Sequence, residues 1–470
     1  MLNTPGGDRL NKWIRISAIF LIILLLELPP TLAAPAPEGS SGTTPWVTGY
    51  YVGYQRDMLP PEDIYWDGLT HIAMGAATAN ADGTLNTDFY IDDTNGPALA
   101  RQISTLAHAH NKKAILMLGG AGNGAAIHSA VSNHRTVFIA NIVSTMDTLG
   151  YDGVDLDWED DVDWVLFETF AKELRQAAPG KIITLPGGAI NANYQTVDPQ
   201  VVKVTKYVDQ FNLMTYYPST AWAGDGWYSW HTSPLKGAKS TTPVSIEDSL
   251  ARYNASGVPK EKMGMGVGFY AIGYKGGITG PNQPTTHGMI VGGDNVYPLS
   301  KLYGTSGAYD VQYRYWDGTA LVPYLSLPQP DSFGAKYVSF EDEESLIAKG
   351  AFTRENGYGG IIIWSINQGY VASRADPNFL MKALRAGFIE PPVTIPVVAL
   401  PGQTLLPTDP DKDGLFEDLN GNSRLDFADV VLFFDQMDWI TANEPVTAFD
   451  MNGNSRIDFN DIVRLFEEIG

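Results

Sequence analysis

Residues 151–160 read Tyr151-Asp152-Gly153-Val154-Asp155-Leu156-Asp157-Trp158-Glu159-Asp160. Half of these side chains are carboxylic acids. In an extended strand, residues i, i+2 and i+4 share one face. Asp155, Asp157 and Glu159 therefore face one way, and Val154, Leu156 and Trp158 the other. Apolar residues on one parity predict a core strand, and acids on the other predict a site. Like charge and burial both raise a carboxyl pKa. At least one of the three then holds a proton near neutral pH, the state a general acid must be in. The plainer readings are a solvated acidic edge or a calcium loop. A calcium loop wraps oxygens around a point through glycine turns, whereas this segment alternates as a strand does. Asp152 lies on the other parity and reads as structural.

Strand-like runs occur at 46–51, 69–75, 113–119, 153–158, 182–186, 210–216, 263–270 and 360–366, and helix-like stretches follow many of them. Eight β units alternating with α units predict a parallel α/β barrel rather than a sandwich.

The pattern Asp152-Gly153-x-Asp155-x-Asp157-x-Glu159 resembles the signature of family 18 glycoside hydrolases, the chitinases and their relatives. The resemblance implies a (β/α)8 TIM barrel with this segment as its fourth strand. Glu159 would stand at the strand's carboxyl end, where such barrels keep their chemistry. Other stretches resemble the same family. Gly119 and Gly120 end the third strand, although Met117 stands where the family has serine. Asn212, Met214 and Tyr216 share a face of the sixth strand, although Tyr217 replaces the aspartate of Met-x-Tyr-Asp. Trp364 resembles the tryptophan that floors the reacting sugar's subsite. Tyr50, Tyr51, Trp222, Trp227, Trp230 and Tyr270 fall at strand ends or in the loop after strand six, and exposed aromatic loops are costly unless they bind something. Of these, Tyr50, Trp222 and Tyr270 join Trp364, Met214, Gly119 and Gly120 as expected substrate contacts.

The mechanism implied by the resemblance is retaining and substrate-assisted, an exception to the usual two-carboxylate scheme. Glu159 would be general acid and then base. Asp157 would bind the acetamido N–H, Tyr216 would hold the acetamido carbonyl, and Asp155 would pair with Asp157 and share a proton. Only a sugar with a 2-acetamido group can supply such a nucleophile. The substrate expected is chitin or chitooligosaccharide. The alternatives are an endo-β-N-acetylglucosaminidase on glycans or peptidoglycan, and a catalytically inactive chitin-binding lectin. Lectins on this barrel typically lose the terminal glutamate, and Glu159 is present.

The chain has 470 residues and a formal net charge of -22, which argues against nucleic acid or an anionic membrane as partner. It contains no cysteine, so no disulfide contributes to its stability. Arg9, Lys12 and Arg15 precede an apolar run over 16–26, followed by Pro29, Pro30 and the small pair Ala33-Ala34. That layout predicts a signal peptide at 1–34 and a secreted protein, because the run is far shorter than the ~20 residues of a membrane span. A spacer at 35–45 leads into a barrel at 46–390. The stretch from 271 to about 340 is too long for a loop. It resembles the small α+β insertion that some chitinases carry after strand 7, forming a wall of the groove. Residues 391–407 hold five prolines and no charge, the composition of an extended linker.

The segment 408–470 is a second, strongly acidic domain: between Leu405 and Gly470 there are 15 acids against 4 bases. Asp418, Asn420, Asn422, Arg424, Asp426 and Asp429 recur 32 residues later as Asp450, Asn452, Asn454, Arg456, Asp458 and Asp461. Oxygens at loop positions 1, 3, 5, 9 and 12, with a backbone carbonyl at 7, are the spacing of a Ca2+ loop. Position 6 is serine rather than glycine, and position 12 is aspartate rather than glutamate. Paired loops of this kind, each running into a helix, resemble dockerin modules. That resemblance implies a small α-helical domain with structural Ca2+ and a cohesin-type protein as partner.

Overall fold

The structure, a computed structural model, describes residues 45–193, 196–216, 228–390, 397–410, 414–452 and 456–469. The expected signal segment 1–34, Trp222, Trp227, Tyr217 and Asn454 lie outside the described residues, as does part of the expected linker.

Eight parallel strands close into a ring. They are β1 (Trp46–Val52), β2 (His71–Ala79), β4 (Lys113–Gly119), β5 (Gly153–Asp157), β6 (Ile182–Gly188), β7 (Gln210–Met214), β8 (Met263–Gly268) and β14 (Gly360–Trp364), with β1 pairing both β14 and β2. A short β3 (Leu85–Asn86) pairs antiparallel with the end of β2. All eight expected strands are present, with ends displaced by a few residues. The fourth barrel strand stops at Asp157 rather than Trp158.

Parity explains the two layers. Val154 and Leu156 are buried in the large outer core, packed beneath helices such as Trp164–Ala177 and Arg135–Leu149. Asp155, Asp157, Thr184 and Asn212 point the other way and are also buried, so the barrel interior carries polar groups beside a small apolar cluster of Ala73, Ile115, Met117 and Ile362. Trp46 fills the interior and donates its indole N–H to Asn212 Oδ1 at 2.9 Å. Gly360 has to be glycine there, because a Cβ would lie 2.3 Å from the Trp46 ring.

Between β8 and β14 runs a second sheet of five antiparallel strands. It comprises β9 (Ile272–Tyr274), β10 (Ile290–Gly292), β11 (Arg314–Asp317), β12 (Val322–Ser326) and β13 (Tyr337–Ser339), in the order β10-β9-β13-β12-β11. His231 is fully buried where this sheet meets the chain that follows β7. It contacts Asp317 at 3.0 Å, Tyr337 at 3.1 Å and Ser339 at 3.3 Å.

Residues 397–469 have their own apolar cluster, built on Leu419, Phe433, Phe449 and Leu465. Two of its helices, Phe427–Asn443 and Phe459–Ile469, each follow one acidic repeat. The first is capped by its own loop: Asp426 accepts from the helix's first turn, and Asp429 answers with a bond from the Asp426 N–H at 3.0 Å.

Candidate active site

Three parallel strands share one rung beneath the site. Met117 on β4 is level with Asp155 on β5, which is level with Thr184 on β6. Asp155 is completely buried and its two oxygens are both taken. Tyr50 Oη donates to Oδ2 at 2.8 Å, and the Thr184 hydroxyl donates to Oδ1. Burial pushes Asp155 up to about 6, while the bonds from Thr184 and Tyr50 favour its ionised form and oppose that rise. Among the described residues no hydrogen bond joins Asp155 to Asp157. The spacing puts both acids on one face, but the two hydroxyls occupy the acceptors of Asp155 first.

One rung higher, Asp157 is 4% exposed, and its Oδ1 has no hydrogen-bond partner among the described residues. Burial raises its pKa well above the usual carboxyl range, and the charges of Glu159, Asp155 and Asp160 add to the effect. An ionised carboxylate with an unmet oxygen is costly in such a place; Asp157 is held as the acid or met by a ligand. The adjoining turn is built for close approach. Gly119 and Gly120 have φ of 110° and 101°, and Gly120 N–H donates to the Asp157 carbonyl at 2.7 Å. A Cβ on Gly119 would lie 2.3 Å from that carbonyl oxygen.

Beyond the strand end the chain turns, and Trp158 goes into the core beside Phe167 with ring centroids 5.4 Å apart. Glu159 is left on the surface of a cleft of about 560 Å3. Desolvation raises its pKa, the charges of Asp160 and then Asp155 add to this, and a bond from the Ala121 N–H partly offsets it. Tyr216 sits just past β7. Burial first, and then Tyr270 and the carboxylates, hold its phenol well above its ordinary range, so it is a neutral donor at any working pH.

The same cleft is lined by Tyr50, Gly119, Gly120, Met214, Tyr270 and Trp364, together with Asp157, Glu159 and Tyr216. Trp364 and Tyr50 are 5.4 Å apart at the floor, with planes tilted by 55°. Asp155 lies beneath the cleft rather than in it. Two other aromatics of the strand-end set, not among the expected contacts, belong to the core. Tyr51 is buried and donates to the Leu59 carbonyl at 2.9 Å, and Trp230 is 1% exposed with its indole on the Val244 carbonyl. Asp152 bonds His108, Lys113 and the Ala114 N–H and has a structural role.

The structure adds cleft residues that the sequence reading missed. Tyr54 and Tyr90 stand edge to face at 5.6 Å, and both are substantially exposed. Asp294 also faces the cleft, although it comes from the turn after β10. Thr184 reads as an ordinary β-branched strand former, so nothing in its type marks it.

In the acidic repeats the expected ligands Asp418, Asn420, Asn422, Arg424, Asp426 and Asp429 form one closed turn. Asp429 accepts from Asn420 Nδ2 at 2.7 Å, and Asp418 accepts from the Asn422 and Ser423 N–H groups. In the described part of the second repeat, Asp461 accepts from the N–H groups of Asn452 at 3.1 Å and Asp458 at 2.7 Å, as Asp429 does from those of Asn420 and Asp426. Asp418, Asp429 and Asp461 are all 0% exposed, and burial raises Asp429 and Asp461. Among the described residues none of the three has a Lys or Arg ion-pair partner, and no three His, Cys, Asp or Glu side chains converge on one point. An all-oxygen set of Asp and Asn around buried acids fits a hard cation. On the two following helices, Phe427, Val431 and Phe434 and the equivalent Phe459, Val463 and Phe466 are exposed. Phe427 meets Phe466, and Phe434 meets Phe459, edge to face.

Comparison with known proteins agrees with this geometry. The family described as glycosyl hydrolases family 18 matches residues 47–369. A "Probable endochitinase" of Caenorhabditis elegans is 30% identical over 347 residues, covering 66% of this chain and 53% of the relative. "Chitinase A1" of Niallia circulans is 28% identical over 330 residues, covering 62% of this chain and 45% of the relative. The chain thus spans about half the length of these curated relatives. Among solved structures, catalytic domain 2 of the Ostrinia furnacalis Group II chitinase aligns with a TM-score of 0.61 at 21% identity, covering 74% of this chain and 98% of that one. Such a likeness shows the shared fold. The chain belongs to family 18 of the glycosyl hydrolases.

Proposed function

We propose that the protein is a secreted chitinase that hydrolyses β-1,4-linked N-acetylglucosamine polymers with retention of configuration. The observation that carries this reading is the placement of Asp157, Glu159, Tyr216 and Trp364 around one cleft at the carboxyl ends of the strands. Glu159, with its raised pKa, protonates the glycosidic oxygen. The substrate's own acetamido oxygen attacks the anomeric carbon and closes an oxazolinium ring. Asp157, whose Oδ1 lacks a partner, takes the acetamido N–H and stabilises the ring's positive charge. Tyr216 donates to the acetamido oxygen and holds it in line. Glu159, now ionised, removes a proton from water as it adds at the anomeric carbon, and both parts return to their starting states. Asp155, fixed by Tyr50 and Thr184, sets the charge beneath Asp157.

Tyr54 and Tyr90 offer further sugar faces along the cleft. The five-stranded sheet reads as the wall of a long groove, in keeping with a polymeric substrate. Hydrolysis of chitohexaose but not of cellohexaose tests the reading, because cellulose lacks the acetamido group. Cleavage of both would refute the substrate-assisted route.

The 1–34 segment reads as a cleaved signal peptide that exports the enzyme. For the C-terminal module we propose structural Ca2+ in the two acidic loops and docking onto a cohesin-type protein through the paired Phe/Val faces of its helices. Exposed aromatics in two equivalent rows support a protein partner. The Ca2+ ions would be held by the Asp and Asn oxygens and by the carbonyls of Arg424 and Arg456, neutralising the buried acids Asp418, Asp429 and Asp461. Pull-down of a cohesin domain in millimolar calcium, lost on chelation, tests the docking.

A further inference from the structure

Met117 stands where the family pattern has serine, at a position the barrel turns inward. It is level with Asp155 on the neighbouring strand, lines the cleft and is only 3% exposed. It belongs to a small apolar cluster with Tyr50, Ala73, Ala76, Ile115 and Ile362, against which Tyr216 and Trp364 pack. Two glycines leave room for it. A Cβ on Gly75 would lie 2.5 Å from Met117 Sδ, so the bare backbone of β2 opens the space that the sulfur fills. A Cβ on Gly120 would lie 3.5 Å from Met117 Cε and 3.7 Å from Asp157 Oδ2. The thioether methyl and the carboxyl group therefore border the same space beside the Gly119–Gly120 turn.

A methionine fills an irregular gap well, and its sulfur is at most a weak acceptor. It gives the two acids of β5 no hydrogen-bond donor. A hydroxyl at 117 would stand on the rung that holds Asp155 and just below Asp157. Asp155 already has the hydroxyls of Tyr50 and Thr184, whereas Asp157 Oδ1 has no hydrogen-bond partner among the described residues. The titratable groups around Asp157 are Asp155, Glu159 and Asp160 on its own strand and turn, Tyr50 on β1, Tyr54 and Tyr90 in the turns after β1 and β3, Tyr216 past β7, and Tyr270 and Asp294 across the cleft. No Lys, Arg or His is among the described residues lining the cleft. With β4 contributing only a methyl group, that side of Asp157 stays dry and without a donor.

We infer that Met117 is a positioning residue for Asp157: wedged between Gly75 and the Gly120 turn, it denies the two strand acids a donor from β4, so that the first donor Asp157 meets is the acetamido N–H of the bound sugar. A buried acceptor left without a protein partner gains more from a ligand N–H than one already bonded. Met117 does not act on the substrate bond itself; it works through the carboxyl group beside it. The inference rests on the chitinase reading above and gives a task to a residue at which this chain departs from the family pattern.

The test is the pH dependence of kcat/KM of the full chain on chitohexaose, comparing wild type with Met117→Ser, Met117→Thr and Met117→Leu. A hydroxyl donor favours the ionised carboxyl and lowers its pKa. The acid limb of Met117→Ser should therefore move to lower pH by about one unit. Its KM should rise about three- to tenfold, because the acetamido N–H then has to displace the hydroxyl. Met117→Leu, apolar and of similar volume, should keep the wild-type limb and KM. If the serine variant fails to fold, Met117→Thr, which leaves a smaller cavity, decides by the same readings. An acid limb unmoved by either hydroxyl overturns the inference. A leucine variant shifted as far as the serine one also overturns it, since packing alone would then be the cause. If wild type does not cut chitohexaose, the chitinase reading falls. The pH dependence of calorimetric binding of the same oligomer then decides: a curve displaced in Met117→Ser but not in Met117→Leu upholds the positioning role, and identical curves or absent binding overturn it.

Discussion

Tyr50 Oη lies 2.8 Å from Asp155 Oδ2, reaching from the first barrel strand to the fourth. With Thr184 it gives the buried Asp155 two hydroxyl donors, both of which favour the ionised form. Removing a donor disfavours that form, so the pKa of about 6 moves up. Tyr50→Phe and Thr184→Val should each shift the acid limb of the kcat/KM profile to higher pH. The shift should be about one unit, the lower end of what a bond to a charged group supplies. Thr184→Ser should restore the wild-type limb. An unmoved limb in Thr184→Val would show that Asp155 does not govern it.

The charge of Asp160 raises the pKa of Glu159. A general acid must be protonated, so the alkaline limb of activity follows that pKa. Asp160→Asn keeps an acceptor for the Gly122 N–H and removes the charge. The pKa of Glu159 should fall, and the alkaline limb should move to lower pH, with kcat at the optimum nearly unchanged. A shift to higher pH would contradict the electrostatic account.

Lys349 and Glu341 form an ion pair with both side chains at 0% exposure. Glu341 also accepts from the Ser345 hydroxyl at 2.7 Å. Truncating one partner leaves a buried charge unmet and costs about 3–5 kcal/mol. Lys349→Ala should lower stability by that amount in urea unfolding, while the double change Lys349→Met with Glu341→Leu should recover most of it. A single variant as stable as wild type would mean that water reaches the pair.

Asp429 and Asp461 close the two acidic turns and are buried without a cation among the described residues. Millimolar calcium should raise the melting temperature of the C-terminal module, and a chelator should lower it. The double variant Asp429→Ala, Asp461→Ala should melt alike in both. Equal melting of wild type with calcium and with chelator would remove the metal from the account.

The barrel was legible in the sequence because its strands carry their function in their parity. Val154 and Leu156 alternate with Asp155 and Asp157, and the structure sends one set to the helix layer and the other to the interior. Glu159 was legible from the same alternation, whereas Tyr216 and Trp364 were legible only through the resemblance to the family's motifs. What parity cannot show is which partners meet across the interior. Asp155 and Asp157 share a face, yet Asp155 is satisfied by hydroxyls from β1 and β6. Which aromatics pack the core is equally invisible to parity. Tyr51 and Trp230 are chemically suited to stack on sugars but are consumed by the core. Asp294 gave no signal, since a Gly-Gly-Asp-Asn turn has no periodicity and its distance from Trp364 is known only after folding.

The central claim is that Glu159 and the substrate's acetamido group share the work of cleavage. The most direct measurement is the anomeric form of the first products when chitohexaose is digested by wild type and by Glu159→Gln. The account predicts shorter oligomers appearing initially as the β-anomer from wild type, and a loss of at least about a hundredfold in rate for the variant. Initial α-anomer from wild type, or near-normal turnover by Glu159→Gln, would contradict it.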